Sequence, residues 1–335
     1  MSKNIPISLL ELAIVTQGST TSETLTKTKE LAELADSLEY NRFWLAEHHN
    51  MQHVASSATV VLISYIASQT KKIRVGSGGI MLPNHSPLII AEQFGTLETL
   101  FPNRIDLGLG RAPGTDTLTA QAIRKDFFDE AQQFPKNVSA LQTYFSNESS
   151  SSPVRACPGE GVEVPIWILG SSMDSAALAA AYGLPYAFAG HFAPKQMVQA
   201  FEFCRENFEP SEVLSSPKTM ACVNVIAADT NEEAKVLSTS LYQMFLGLIR
   251  NNRQPLQPPV ATLDGAMNEA ELFHVNQMTA CSFIGDKNHL IKELNKFIEY
   301  TKIDELMITS PIYNHEDKLK SLKISSEVIQ TINER

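Results

Sequence analysis

Short β-branched apolar runs that alternate with longer amphipathic helical patterns predict an α/β fold, and specifically a (β/α)8 TIM barrel with insertions. Three observations carry that expectation. The alternation continues through nearly all 335 residues, the strand–helix units number eight, and the unusual residues gather where strands end. An alternating order demands a parallel sheet, because each strand must be followed by a crossover helix. Eight such units close on themselves, with an open doubly wound sheet as the alternative. A single domain over 1–335 is expected, since α/β barrels run beyond about 250 residues as one unit.

The elements follow in order. Residues 5–15 read as the first strand, and 23–40 place Leu25, Leu31, Leu34, Ala35 and Leu38 at helical spacing. Strands are expected at 42–47, 72–77 and 104–109, with helices at 56–69, 87–100 and about 118–145. A Ser-, Pro- and Gly-rich stretch at about 146–164, including the serine run 149–152, reads as an insertion. The alternation resumes with strands at 165–169, 186–189 and 220–227 and helices at 172–182, 194–208 and 231–250. In the last of these, Ala234, Leu237, Leu241, Phe245 and Leu248 form one stripe, and Thr230 with Glu233 suits a capping box. A second irregular insertion covers 251–280, and because it follows the seventh strand it is expected over the barrel mouth. A helix at 290–300, a strand at 303–309 and a final helix complete the pattern.

Composition narrows the function classes. The net charge is −10 and no Lys/Arg cluster stands out, which argues against a nucleic-acid partner. Cys157, Cys204, Cys222 and Cys281 are scattered without a CxxC pair, so they read as free thiols in a reducing, cytoplasmic setting rather than a disulfide or zinc framework. No apolar run reaches membrane-spanning length. The N-terminal stretch contains Glu11 and lacks a small-residue cleavage site, so it reads as a strand and not a signal peptide.

In a TIM barrel the chemistry sits at the C-terminal ends of the strands. The second strand ends in Glu47-His48-His49-Asn50, the third in Gly76-Ser77-Gly78-Gly79, and the fourth runs into Gly108-Leu109-Gly110-Arg111. The fifth runs into Gly170-Ser171-Ser172 and the sixth into Gly190-His191-Phe192. Glu47, His48 and His191 are the candidate catalytic residues. Adjacent strand residues point to opposite faces, so His48 and His49 are not expected to converge on a metal. Gly78 and Gly79 suit either turn chemistry or the close approach of a flat ligand. Neither glycine run is the dinucleotide fingerprint, because no helix starts directly after it. Ile105, Leu107 and Leu109 share the face toward the helices, leaving Asp106 and the glycines inside the barrel. Arg111 reads either as a salt-bridge partner of Asp116 or as an anion clamp. Gly170, Ser171 and Ser172 open a helix, either as an anion-binding nest or as an ordinary serine cap with Asp174 in the first turn. Since strands four and five are neighbours, Arg111 and the Ser171 helix start could grip one phosphate together.

The segments Phe43-Trp44-Leu45-Ala46-Glu47-His48-His49-Asn50, 75–87 and 104–116 (RIDLGLGRAPGTD) together resemble the luciferase-like flavin-dependent monooxygenase family, in its single-subunit bacterial branch. The similarity runs from about Ser8 to the last strand. The resemblance implies FMN bound at the barrel mouth, reduced flavin supplied by a separate reductase, O2 as co-substrate, a small organic substrate and a homodimer. It places the active-site histidine on His48, a non-prolyl cis peptide on Gly78–Gly79, and the phosphate-binding arginine on Arg111. The serine-type phosphate ligands fall on Ser171, Ser172 and Ser175, and a second arginine on Arg124. In bacterial luciferase the first of those helix positions is a glutamate, whereas here it is Ser171. An F420-dependent hydride-transfer oxidoreductase on a related barrel and a non-catalytic flavin-binding protein are the alternatives. The Glu-His-His motif and the Gly-Arg-Ala-Pro loop favour FMN over F420.

Overall fold

A computed structural model of the chain describes residues 4–147 and 151–335. Residues 1–3 of the N-terminal stretch, and Ser149 and Ser150 of the serine run in the first insertion, lie outside the described residues. The order of elements is β1 (Ile7–Glu11), α1 (Thr21–Ser37), β2 (Arg42–Leu45), α2 (Thr59–Gln69), β3 (Arg74–Met81), α3 (Pro87–Leu100) and β4 (Ile105–Gly110). Then come α4 (Thr117–Ile123), α5 (Phe127–Gln132), α6 (Phe134–Phe145), β5 (Ile166–Gly170), α7 (Met173–Ala181), β6 (Tyr186–Phe188) and α8 (Met197–Glu206). The chain continues through β7 (Thr219–Ala227), α9 (Asn231–Ile249), α10 (Glu269–Met278), β8 (Ser282–Gly285), α11 (Lys287–Thr301), β9 (Glu305–Thr309) and α12 (His315–Asn333).

All strand pairings are parallel. Strands β1 to β6 lie side by side in sequence order, β6 pairs with β7, β7 with β9, and β9 with β1. That ring is the expected closed barrel of eight strands. Strand β8 stands outside it, paired with the upper residues of β7 from Asn224 to Ala227. The short run Ser282–Gly285 was not expected as a strand; its four residues lack the length that separates a strand from loop in the sequence. The second insertion is also less irregular than expected, since it contains α10, started by a capping box between Asn268 and Glu271.

Other boundaries shift for local reasons. The helix expected over 118–145 is three helices: Arg124 turns to extended backbone after α4, and Pro135, which has no N–H to continue the bonding of α5, falls in the first turn of α6. The first strand ends at Glu11, not near 15: Ala13 adopts φ 50°, and its N–H donates to the Glu11 carboxylate at 2.7 Å. Strand β3 is longer than 72–77, because Gly78 and Gly79 sit within it rather than ending it. Only half of the expected box at α9 forms. Thr230 accepts from the Glu233 N–H, but the Glu233 carboxylate turns to the Asp229 N–H instead.

Two apolar layers surround the strands. Ile105, Leu107 and Leu109 join the large core between sheet and helices, while Leu10, Trp44, Trp167, Met220 and Met307 fill the barrel interior. Trp44 and Trp167 meet edge to face with ring centres 5.5 Å apart. Beneath them the interior is ionic. Asp106 faces inward as expected and is fully buried, accepting from Arg42 at 2.5 Å, Arg74 Nε at 2.9 Å and the Trp44 indole at 3.1 Å. Arg42 also reaches Glu305 at 2.9 Å. The open end for a ligand is therefore the upper one, where the strands' C-termini lie. Among the described residues, no helix is long and apolar enough to cross a membrane.

Candidate active site

At the upper end of β2 the chain turns sharply around one buried carboxylate. Glu47 is 1 % exposed and accepts from the Met81 N–H at 3.0 Å, Asn84 Nδ2 at 3.2 Å, and the rings of His49 and His85 at 2.8 and 2.9 Å. Burial alone would raise its pKa, but the His49 and His85 rings and the Met81 amide outweigh it and hold the group at about 2. Glu47 is thus an ionised anchor that ties β2 to the turn after β3.

His48 points the other way. Its own N–H donates to Ser56, and its ring Nδ1 lies 3.1 Å from the Gly114 carbonyl. A carbonyl only accepts, so in the neutral ring Nδ1 carries the proton and Nε2 keeps its lone pair. Burial lowers its pKa, and the Gly114 bond only partly opposes that. Gly114 has φ +65°, and a Cβ there would stand 2.6 Å from the Glu47 carbonyl, so glycine lets the loop after β4 close against the end of β2.

His191 follows β6 and approaches the same space. Asn224 on β7 donates to its carbonyl at 2.7 Å and fixes the loop. The residue is partly exposed, yet its Nδ1 is buried and has no hydrogen-bond partner among the described residues. Burial pushes its pKa down to about 3, with the charge of a protonated His48 adding to the effect. The two rings therefore face one mouth as neutral imidazoles.

The Gly78–Gly79 peptide is cis, as expected. A Cβ on Gly78 would stand 2.6 Å from Leu10 and 3.1 Å from Trp44, and one on Gly108 would run into the Ser77 carbonyl. Leu169 lies against both Gly79 and Gly108, so the strands pass too close to interior side chains and to each other to carry their own here; Gly79 and Gly108 are buried and Gly78 is partly exposed.

Across the mouth, Arg111 leaves β4 and meets the start of α7. Its expected partner Asp116 is spent instead on capping α4, accepting from the Thr119 N–H at 3.0 Å. The Arg111 side chain is half exposed and only loosely paired, 3.4 Å from Asp174 in the first turn of α7. Ser172 is the N-cap residue of that helix but makes no side-chain cap bond, so the ordinary serine-cap alternative is not what forms. Gly170 lies against Ser175, whose hydroxyl donates to the Ser172 carbonyl at 2.7 Å and meets the Tyr186 hydroxyl at 3.0 Å. The structure thus sets Arg111 against the first turn of α7, the helix that Ser171 and Ser172 lead into, while Ser175 is turned into the strand–helix seam. Arg124 is placed elsewhere: it donates to the His85 carbonyl at 2.9 Å and pairs with Asp126 and Glu130, each at 3.0 Å.

Sequence reasoning passed over two residues at this mouth. His53 and Arg253 both act electrostatically on the neighbourhood of His48. No local motif marks them, since the chain brings them there from separate loops.

Comparison with known proteins gives a consistent set of likenesses. The family model described as luciferase-like monooxygenase matches residues 9–304. A luciferase-like monooxygenase of Escherichia coli (strain K12) is 46% identical over 326 residues, covering 97% of each chain. An N-acetyl-S-alkylcysteine monooxygenase of Bacillus subtilis (strain 168) is 31% identical, covering 97% of this chain and 98% of the relative. The solved structure of apo-MsnO8 matches with a TM-score of 0.91 at 32% identity, covering 97% of this chain and 98% of that one. Two more distant structures share the fold over 98% of this chain and 99% of theirs. One is the oxygenating constituent of 3,6-diketocamphane monooxygenase in complex with FMN (TM-score 0.72, 18% identity). The other is an F420-dependent secondary alcohol dehydrogenase with an F420–acetone adduct (TM-score 0.69, 15% identity).

Proposed function

The chain belongs to the luciferase-like monooxygenase family, and on that premise we propose that it is an FMN-dependent monooxygenase using reduced flavin and O2 on a small organic substrate. The observation that carries the reading is the meeting of Arg111 with the uncapped N-terminus of α7 at the adjacent ends of β4 and β5. A guanidinium beside a turn of free amides suits a phosphate, which would replace Asp174 at Arg111. At the cis peptide in β3 the partly exposed Gly78 presents backbone without a side chain, and Nδ1 of His191, which has no hydrogen-bond partner among the described residues, offers a buried polar contact. These features fit FMN. Arg111, Ser171, Ser172 and the α7 amides would hold the phosphate, with Gly170 letting the chain turn tightly into the helix.

When bound, the flavin supplies the oxygen chemistry. The protein's part is to orient, to exclude water and to move protons. His48 has its Nδ1 proton fixed by Gly114, so Nε2 is free to accept or relay a proton at neutral pH. Glu47 does not titrate in that range; it fixes the turn after β3 beneath the site. A separate reductase supplies the reduced flavin, since the chain has no dinucleotide fingerprint of its own. A homodimer of single-domain chains in the cytoplasm completes the proposal.

Titration with FMN, riboflavin and F420 tests it. A charge-assisted contact to phosphate is worth about 1.5–3 kcal/mol, so Arg111→Ala should weaken FMN binding by roughly ten- to a hundredfold and leave riboflavin nearly untouched. Equal losses for both ligands would remove the clamp, and binding of F420 in place of FMN would favour hydride transfer instead.

A further inference from the structure

The loop after β4 is stitched to its neighbours on both sides of the bond that orients His48. Gly114 lies three residues after Arg111, and its carbonyl accepts twice, from the His48 ring Nδ1 at 3.1 Å and from the His49 N–H at 3.3 Å. Just before it, Asn84 Nδ2 donates to the Pro113 carbonyl at 3.1 Å. Just after it, the Thr115 hydroxyl donates to the His49 carbonyl at 2.8 Å, well inside its 3.5 Å approach to Asp116. His49 is thus clasped by Gly114 and Thr115 through both its N–H and its carbonyl. A further tether runs from Asn50 Nδ2 to Thr119 Oγ1 at 2.9 Å. Without such tethers this loop would be free to move, since Gly114 sits at φ +65° and Arg111, Ala112 and Asp116 are exposed.

We propose that Thr115 is a positioning residue for His48. By holding the His49 carbonyl it keeps the Gly114 carbonyl on the His48 ring, and so keeps the proton on Nδ1 and the lone pair on Nε2. The proposal deepens the flavin reading and rests on it for the use made of that lone pair. The two neutral tautomers of an imidazole differ only in which nitrogen carries the proton, and the partner of one nitrogen decides between them. The bond from His48 Nδ1 is 3.1 Å long and ends on an acceptor shared with His49, so a small shift of the loop weakens it. Thr115 restrains that shift, because it directly follows the carbonyl and its hydroxyl is anchored on the backbone next to His48. Its β-branch restricts χ1, which holds the hydroxyl in place at little entropic cost. Arg111 begins the same segment, so the residue proposed to hold phosphate and the carbonyl that sets the His48 proton share one short stretch of chain. Asn84 is the less telling position to change, since it also donates to Glu47 at 3.2 Å.

The tautomer can be read directly. Long-range proton–nitrogen NMR on full-length protein with ring-labelled histidine, in mildly alkaline buffer where imidazoles are neutral, shows which nitrogen of each ring carries the proton. His48→Gln identifies the His48 resonances by their loss. The parent should hold the His48 proton on Nδ1. Thr115→Val, which keeps the branched shape and removes the hydroxyl, should lower the ratio of the Nδ1–H to the Nε2–H form by roughly three- to tenfold, the worth of one neutral hydrogen bond. Thr115→Ser, which keeps the hydroxyl, should recover the parent ratio. A parent with its proton on Nε2 overturns the proposal. So does a Thr115→Val protein that keeps the parent ratio, even one that melts earlier, because the clasp would then be structural only. Titration of the parent with FMN keeps the two readings apart, since the tautomer is read without flavin. If the parent fails to bind FMN, the flavin reading falls, while the ratio still decides whether Thr115 positions His48.

Discussion

His48 and His49 are neighbours in the chain and part company in the structure. His49 turns back to the buried Glu47 carboxylate, whereas His48 meets the Gly114 carbonyl and faces the mouth. Strand geometry anticipates that divergence, since successive side chains leave opposite faces. What it does not anticipate is that Glu47 is completely engaged. A carboxylate held at about 2 by its donors serves as an anchor and not as a proton donor near neutrality. In the proposed function the proton-handling role therefore falls to His48. His48→Ala should leave FMN affinity within a few-fold of the parent, while oxygen-dependent turnover falls by about 10²–10⁴, the range for a lost general acid or base. Steady-state turnover with a supplied reductase, beside a melting curve for each protein, checks this. A variant that melts early but turns over normally would make His48 a packing residue.

Among the elements, β3 and β4 carry the tightest constraint. Their register shifts between Ser77 and Ile80, and the glycines there lie against backbone or interior side chains. The kind of neighbour decides the cost of a substitution. A methyl on Gly108 would press on the Ser77 carbonyl, which is main chain and cannot yield without moving the strand. A methyl on Gly110 would meet the Met81 sulfur at 2.9 Å, the end of a flexible side chain. Gly108→Ala should therefore cost at least about 2 kcal/mol, within or above the usual overpacking range, and Gly110→Ala less than about 1 kcal/mol. Urea unfolding of both variants gives the comparison; similar losses would mean that the backbone contact does not dominate. The same dependence on neighbours explains why the glycine run read as a strand end in sequence. Glycines signal turns unless a facing strand requires their small size.

For the molecule as a whole, closing the barrel separates two kinds of interior. The lower end is plugged by Arg42, Asp106, Glu305 and Arg74, the middle by Trp44 and Trp167, and the upper end is left to glycine backbone and imidazoles. This matches the general division of a TIM barrel into a stabilising lower face and a functional upper one. Asp106→Asn would remove the charge that faces both Arg42 and Arg74 in a fully buried place. Breaking a buried pair in this way costs about 3–5 kcal/mol, because the remaining charge is uncompensated. The expected outcome is a markedly lower urea midpoint with FMN affinity unchanged in the protein that remains folded. A midpoint near that of the parent would show that Glu305 alone satisfies Arg42.

The sequence by itself determined a parallel α/β sheet of eight strand–helix alternations and favoured the closed barrel over an open doubly wound sheet; the pairing of β9 with β1 decided closure. It also marked the strand ends where glycine, histidine and charge gather, and the inward placement of Asp106, since these residues depart from the apolar strand pattern visibly and locally. Tertiary structure alone decided the partners. Arg111 meets Asp174 and not Asp116, Ser175 is occupied by Tyr186, and Arg124 is spent on the His85 turn. Leu256 is laced to Val15 and Gln17 from an insertion far along the chain, and Ser282–Gly285 becomes a strand only because the upper half of β7 offers it an edge. The physical reason is common to all of these. Periodicity is written in neighbouring residues, whereas a hydrogen bond or charge contact across a barrel depends on which distant segments closure brings together.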